Sequence, residues 1–139
     1  MGRVTCEAII ENPEDLWAVK KQLIPASMAR RVVVPDALID TGATLLSLPK
    51  SLIQQLGLEK VVDKRVKTSA GDVIAGMYSA VKLTIQGRTC TMDVMEVPDS
   101  VPVLIGYIPL EHLDFVVDPK AQKLIGNPAH EGIHTYEMY

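Results

Sequence analysis

The stretch Ala37-Leu38-Ile39-Asp40-Thr41-Gly42-Ala43-Thr44 constrains this chain more than any other. An apolar run ends abruptly in an acid, a β-branched hydroxyl and a glycine. A second apolar run, Leu45-Leu46-Ser47-Leu48, follows at once. Asp and Gly are common turn residues, so the tripeptide taken alone reads as a turn. A carboxylate set between two buried runs is costly to leave alone, so Asp40 is expected to have a partner.

Composition bounds what can surround that stretch. A chain of 139 residues suits one domain with a real core. Hydrophobic residues make up 47% and aromatics only 4%, so the core must be aliphatic. The net charge of -3, with no basic cluster longer than a pair such as Arg30-Arg31, argues against a nucleic-acid surface. No apolar run approaches the ~20 residues of a membrane span. The N-terminus lacks the apolar block of a signal peptide and carries an early acid, Glu7. Cys6 and Cys90 therefore read as reduced thiols on strands of a cytoplasmic protein.

Along the chain, alternation from Val4 to Ile10 predicts a strand at a sheet edge. Asn12-Pro13-Glu14-Asp15 has the capping residue, the proline and the acids of a helix start, and predicts a helix over 13–23. Leu16, Val19, Lys20 and Leu23 give it a mostly apolar face, with Trp17 as a core anchor. Arg31 to Ile39 reads as a strand in which Pro35-Asp36 demands an edge or a bulge. A short strand over 45–48 precedes a helical turn or two from Pro49, stopped by Gly57.

From Val61 the pattern is all β. A hairpin turns at Gly71-Asp72, between strands over 64–70 and 73–85, and a second turns at Gln86-Gly87 into a strand over 89–97. Val101 to Ile105 reads as a buried strand, 109–113 as a short helix, and 114–118 with 123–126 as a last hairpin. The tail is polar, and Thr135 to Tyr139 has the composition of a strand. One internal echo is visible: Leu104-Ile105-Gly106 followed by Pro109 has the form of Leu38-Ile39-Asp40-Thr41-Gly42 followed by Pro49.

In order along the chain, Asp40-Thr41-Gly42, the hairpin around Gly71 with Gly76 on its return strand, and Leu104-Ile105-Gly106 resemble the retropepsin-like aspartic proteases. The similarity covers about Arg31 to Asn127. It implies a mostly β fold: a closed β-sheet lobe with a flap hairpin and one or two short helices, forming a two-fold homodimer. It makes residues 1–139 one domain, with 11–30 as an insert and 128–139 as a tail. Compact members of the family have little at the position of that insert.

The resemblance also implies roles. Asp40 is the catalytic residue, in a loop continued by Thr41, Gly42 and Ala43. Ala70, Gly71, Asp72 and Val73 form the flap over a polypeptide substrate. Leu104, Ile105 and Gly106 pack behind the loop. The chemistry needs two carboxylates sharing one proton, one drawing a proton from water and the other donating to the carbonyl oxygen. One chain carries one such loop, so the second Asp40 comes from a second copy. The Thr41 hydroxyl then bonds the partner loop, and Gly42 lets backbone approach the carboxylate. No cofactor, metal, nucleic acid or membrane enters this reading. The alternative is a dimeric binding module of the same fold with little or no proteolysis.

Some residues imitate other sites. His130-Glu131-Gly132-Ile133-His134 fits the His-Glu-x-x-His pattern of zinc peptidases, which works only on a helix. Pro128 before it and Gly132 within it argue against that helix. His112 reads as a surface residue, and Asp114 and Asp118 as the two ends of a strand.

Overall fold

The computed structural model describes residues 3–138. Its framework is a seven-stranded sheet in the order β1-β2-β7-β3-β6-β5-β4, in which β1 also pairs with β5. The strands are β1 (Thr5–Glu11), β2 (Arg31–Ile39), β3 (Leu46–Pro49), β4 (Lys60–Thr68), β5 (Gly71–Ile85), β6 (Arg88–Val97) and β7 (Leu104–Ile105). The β1–β5 pairing closes six of them into a barrel, and β4 extends from it on the outer half of β5. Strands β8 (Phe115–Asp118) and β9 (Lys123–Gly126) form a separate hairpin.

The closure corrects the expected edge position of the first strand. Ile9, Ile10 and Glu11 pair with both β2 and β5, and Ala8 and Ile10 are fully buried. Pro35 does produce the expected irregularity. Cys6 pairs with Ala37 but Ala8 with Val34, so β2 carries an extra residue around Pro35-Asp36. The core is aliphatic as composition requires. Ile10, Leu46, Leu48, Val81, Leu83, Ile85, Val94 and Ile105 alternate inward from β1, β3, β5, β6 and β7.

Three short helices flank the barrel: α1 (Pro13–Lys20), α2 (Lys50–Leu56) and α3 (Tyr107–His112). Gly57 ends α2 in the left-handed conformation, φ +66°. Helix α1 begins as expected, with the Asn12 side-chain oxygen accepting from Glu14 N and Asp15 N. It stops three residues earlier than the pattern predicts, and Gln22 beyond it has φ +60°.

The expected apolar anchoring of α1 does not occur, because Trp17 is 56% and Leu23 66% exposed. Polar contacts hold the insert instead. Asn12 Nδ2 donates to Leu56 O at the end of α2 (2.8 Å). The Asp15 carboxylate takes the Arg30 guanidinium on both oxygens, at 2.8 and 3.0 Å, and the Arg30 backbone N–H at 2.9 Å. The hydrogen bonds from Arg30 hold the Asp15 carboxyl below the usual carboxylate range against its burial. Arg30 lies across Gly57, where a Cβ would strike its guanidinium.

The tail is not a strand. Residues 131–138 follow an irregular path back over their own lobe, and Tyr139 lies outside the described residues. The expected strand over 101–105 shortens to Leu104–Ile105. No helix among the described residues is long and apolar enough to cross a membrane.

Candidate active site

The two halves of the internal echo lie side by side. Leu38 and Ile39 pair in parallel with Leu104 and Ile105, and β7 pairs on its other side, antiparallel, with β3. The chain leaving β2 must therefore pass around β7 to reach β3. The loop that makes this passage is Asp40 to Leu45.

That loop is fixed from behind. Asp40 N donates to Ile105 O (3.0 Å), and Ala43 N donates to Asp40 O (3.0 Å). Gly106 N donates to Leu45 O (3.0 Å), Tyr107 N to Ala43 O (2.9 Å) and Ile108 N to Thr44 O (3.1 Å). The first N–H groups of a helix have no partner within it, and here the loop carbonyls supply one. Gly106 is what permits the approach. A Cβ there would sit 2.6 Å from Ala43 O, Leu45 O and Thr44 C, and rigid backbone cannot yield that distance.

At the front, Gly42 N donates to Asp40 Oδ1 (3.0 Å), and a Cβ on Gly42 would lie 3.3 Å from the same oxygen. Asp40 is half-buried, while Thr41 and Gly42 are exposed. Asp40 and Thr41 open onto a cleft of about 480 Å³. Its other walls are Arg3 and Val4, leading into β1, and Val117, Pro119 and Gln122 of the β8–β9 hairpin.

The sequence-predicted residues thus fall into two groups. Asp40, Thr41, Gly42 and Ala43 meet Leu104, Ile105 and Gly106 in one hydrogen-bonded unit. Ala70, Gly71, Asp72 and Val73 lie on the β4–β5 hairpin, and among the described residues they do not line the Asp40 cleft. The turn itself is Ser69-Ala70, two residues before the expected one. Thr68 causes the shift: its hydroxyl accepts from Ala70 N (3.2 Å) and donates to Gly71 O (2.7 Å), closing the turn early. Gly71, at φ +115°, opens the return strand, and Asp72 and Val73 pair with Lys67 and Val66. The hairpin is exposed nearly throughout.

Sequence reasoning missed Tyr107 and Ile108, because a backbone N–H leaves no mark in the side-chain pattern. It missed the cleft walls at Arg3, Val4, Val117, Pro119 and Gln122 because they are distant in the chain.

The His130–His134 motif is built differently from a zinc helix. Pro128–His130 is a single 3-10 turn, and Glu131 (φ +59°) and Gly132 (φ +73°) then turn the chain away. The two imidazoles go to different partners: His130 to the Asp114 and Glu137 carboxylates, His134 to the backbone oxygen of His112. Asp114 is not a strand end but the buried residue before β8, with φ +57°. Among the described residues, no three His, Cys, Asp or Glu side chains are arranged so that they could hold a metal ion. Cys6 and Cys90 are free, half-buried thiols, and burial pushes both up to about 11.

A protein-family model described as aspartyl protease matches residues 25–108, more than half of the chain. The match contains the whole Asp40 loop, the β4–β5 hairpin and the Gly106 clamp. No curated protein matches the chain.

Proposed function

The chain belongs to the aspartyl protease family, and from that premise we propose that it is an endopeptidase working as a homodimer, with the Asp40 carboxylates of two copies as its catalytic pair. The observation that carries this reading is the state of Asp40. It is held rigidly by its own loop, its Oδ1 takes one N–H from Gly42, and it stands half-buried at the mouth of a cleft. A site built this way is complete only when a second carboxylate faces it.

Two carboxylates at close range cannot both ionise, so the pair retains one proton between them. The ionised member draws a proton from water, and the water attacks the peptide carbonyl. The protonated member donates to the carbonyl oxygen as it becomes tetrahedral. The Gly106 clamp serves this chemistry by fixing the loop, since a displacement of ~1 Å at reacting atoms costs about 10²-fold in rate. Exposed Thr41 is placed to bond the partner's loop. The β4–β5 hairpin, extended and with a glycine beside its turn, serves as the flap that closes over an extended peptide.

The test is a mixing titration on a long peptide substrate. Asp40→Asn is nearly isosteric and keeps the fold. The pure variant should be inactive, and excess variant chains should poison parent chains once subunits have exchanged, because a mixed dimer has one carboxylate. Parent activity that stays constant despite demonstrated exchange removes the shared site. Cleavage by pure Asp40→Asn removes Asp40 from the mechanism. An assembled parent that binds peptides without cleaving them leaves a binding module.

A further inference from the structure

The C-terminal segment is held to the lobe by one side chain with a carboxylate on each side of it. His130 Nδ1 lies 2.7 Å from Asp114 Oδ2, and His130 Nε2 lies 2.7 Å from Glu137 Oε1. A ring nitrogen attracts a carboxylate only when it carries a proton, and a neutral imidazole carries one proton, not two. The two-sided bridge therefore requires the imidazolium.

The two carboxylates are unequal. The Asp114 side chain is 7% exposed and belongs to the lobe. Its Oδ1 accepts from Asn127 Nδ2 (3.1 Å) and its Oδ2 from Thr135 N (3.1 Å). Its backbone oxygen takes Asn127 N (3.0 Å) and Arg88 Nη1 (2.9 Å). The Glu137 side chain is 74% exposed. Among the described residues, nothing comparable anchors it.

We propose that residues 131–138 form a strap whose end is latched by His130, closed while the imidazole carries two protons and open when it carries one. On deprotonation the remaining proton stays on Nδ1, because leaving it would strand a buried carboxylate without its partner. Nε2 then presents a lone pair to Glu137, and the end of the strap lets go. The inner part stays. Thr135 N is on Asp114, Gly132 O is on Arg88, and His134 Nε2–H donates to His112 O (3.0 Å). Release is thus confined to Tyr136 and beyond.

The charged and titratable groups around His130 are Asp114 before β8, Glu137 and His134 in the strap, His112 in α3 and Arg88 in β6. The hydrogen bonds that His130 donates to Glu137 and then to Asp114 raise its pKa above its ordinary 6.5, against burial. A raised histidine contributes fully below 6.5, and that contribution is lost as pH rises through the folded value. Burial works to raise the Asp114 pKa, but its bonds to His130, Asn127 and Thr135 outweigh it and hold the carboxyl below its ordinary 3.8. The end of the strap is therefore latched on the acid side of the raised histidine value and released above it.

Asp114 and Asn127 tie together the open end of the hairpin whose other end, at Val117, Pro119 and Gln122, walls the Asp40 cleft. The inference about the strap stands without the proposed activity.

NMR on the full chain tests it, since the three histidines can be assigned by single replacement. In the parent, the His130 midpoint should lie above 6.5. The backbone amides of Glu137 and Met138 should pass from rigid to mobile on the nanosecond timescale at that same midpoint, with Thr135 rigid on both sides of it. Glu137→Ala, which has no acceptor for Nε2–H, should lower the His130 midpoint and leave the end mobile throughout. His130→Asn, whose amide keeps a donor for Asp114, should also leave it mobile throughout. A mobility change that follows His112 or His134 instead, or no change across the His130 midpoint, overturns the latch. So does an unmoved His130 midpoint in Glu137→Ala. Should His130→Asn fail to fold, the exposed Glu137 variant decides alone.

Discussion

Asp40 and Asp114 both follow a buried apolar residue at the end of a structural element, and the chain treats them in opposite ways. Both oxygens of Asp114 are taken by its own chain, from Asn127, His130 and Thr135. Asp40 accepts one N–H, from Gly42 two residues on, and is otherwise turned to a cleft. The rigidity around Asp40 comes from the backbone behind it, through Ile105, Gly106, Tyr107 and Ile108. The contrast separates a carboxylate that holds the fold from one that the fold holds out. In the first, side-chain donors converge on the oxygens. In the second, donors converge on the loop and leave the carboxylate able to meet water, substrate or a second copy.

The largest test of that contrast is the pair Asp40→Asn and Asp114→Ala. Asp40→Asn should cut peptide turnover by at least ~10³-fold with an unchanged melting temperature. Asp114→Ala should lower the melting temperature by several degrees, since three donors lose their acceptor, and should retain activity below its transition. Equal melting losses in the two variants would erase the distinction.

Next in size is Gly106→Val. Its Cβ would meet loop backbone at 2.6 Å, so the clamp and the Asp40 loop must separate. A loss of about 1–3 kcal/mol is expected, together with most of the activity. Full activity in the folded variant would show that the clamp does not position Asp40.

Gly71→Val probes the arm farther out. A Cβ there meets nothing within 4 Å, so the cost is the positive φ alone. Turnover of a long peptide should fall a few-fold, with about 1–2 kcal/mol lost in chemical denaturation to the positive φ. Unchanged turnover would make the hairpin a surface feature. The smallest effect concerns Ser47, fully buried on β3, whose hydroxyl has no hydrogen-bond partner among the described residues. Ser47→Ala should leave stability unchanged or raise it by up to ~1 kcal/mol, against the loss in Asp114→Ala. A clear loss would mean that the hydroxyl is satisfied after all.

Much of the site was legible in the residues because its signals are local. Asp40-Thr41-Gly42 between aliphatic runs marked the loop, Leu104-Ile105-Gly106 marked its support, and Gly57, Asn12 and Pro35 marked a helix stop, a helix start and a bulge. Each acts within a few residues of itself, so sequence adjacency is enough to read it. Trp17 failed as an anchor because a helix's apolar residues do not say whether a partner surface exists. Here Asn12 and Asp15 made the attachment. The tail failed as a strand because its partners, Asp114, His112 and Arg88, lie roughly 20 to 45 residues away, and composition does not encode distant hydrogen bonds.

By itself, then, the sequence determined which residue types meet at the Asp40 loop, where the chain must turn, and that the core is aliphatic. Tertiary structure alone decided that β1 closes the barrel, that β7 threads between β2 and β3, and that the N–H groups of Tyr107 and Ile108 hold the loop. It also decided that Asp114 is saturated while Asp40 is not. Capping, turn and alternation preferences are short-range and carried by side-chain type. Strand order and the destination of a backbone N–H are set by which distant segments find one another when the apolar faces are buried together.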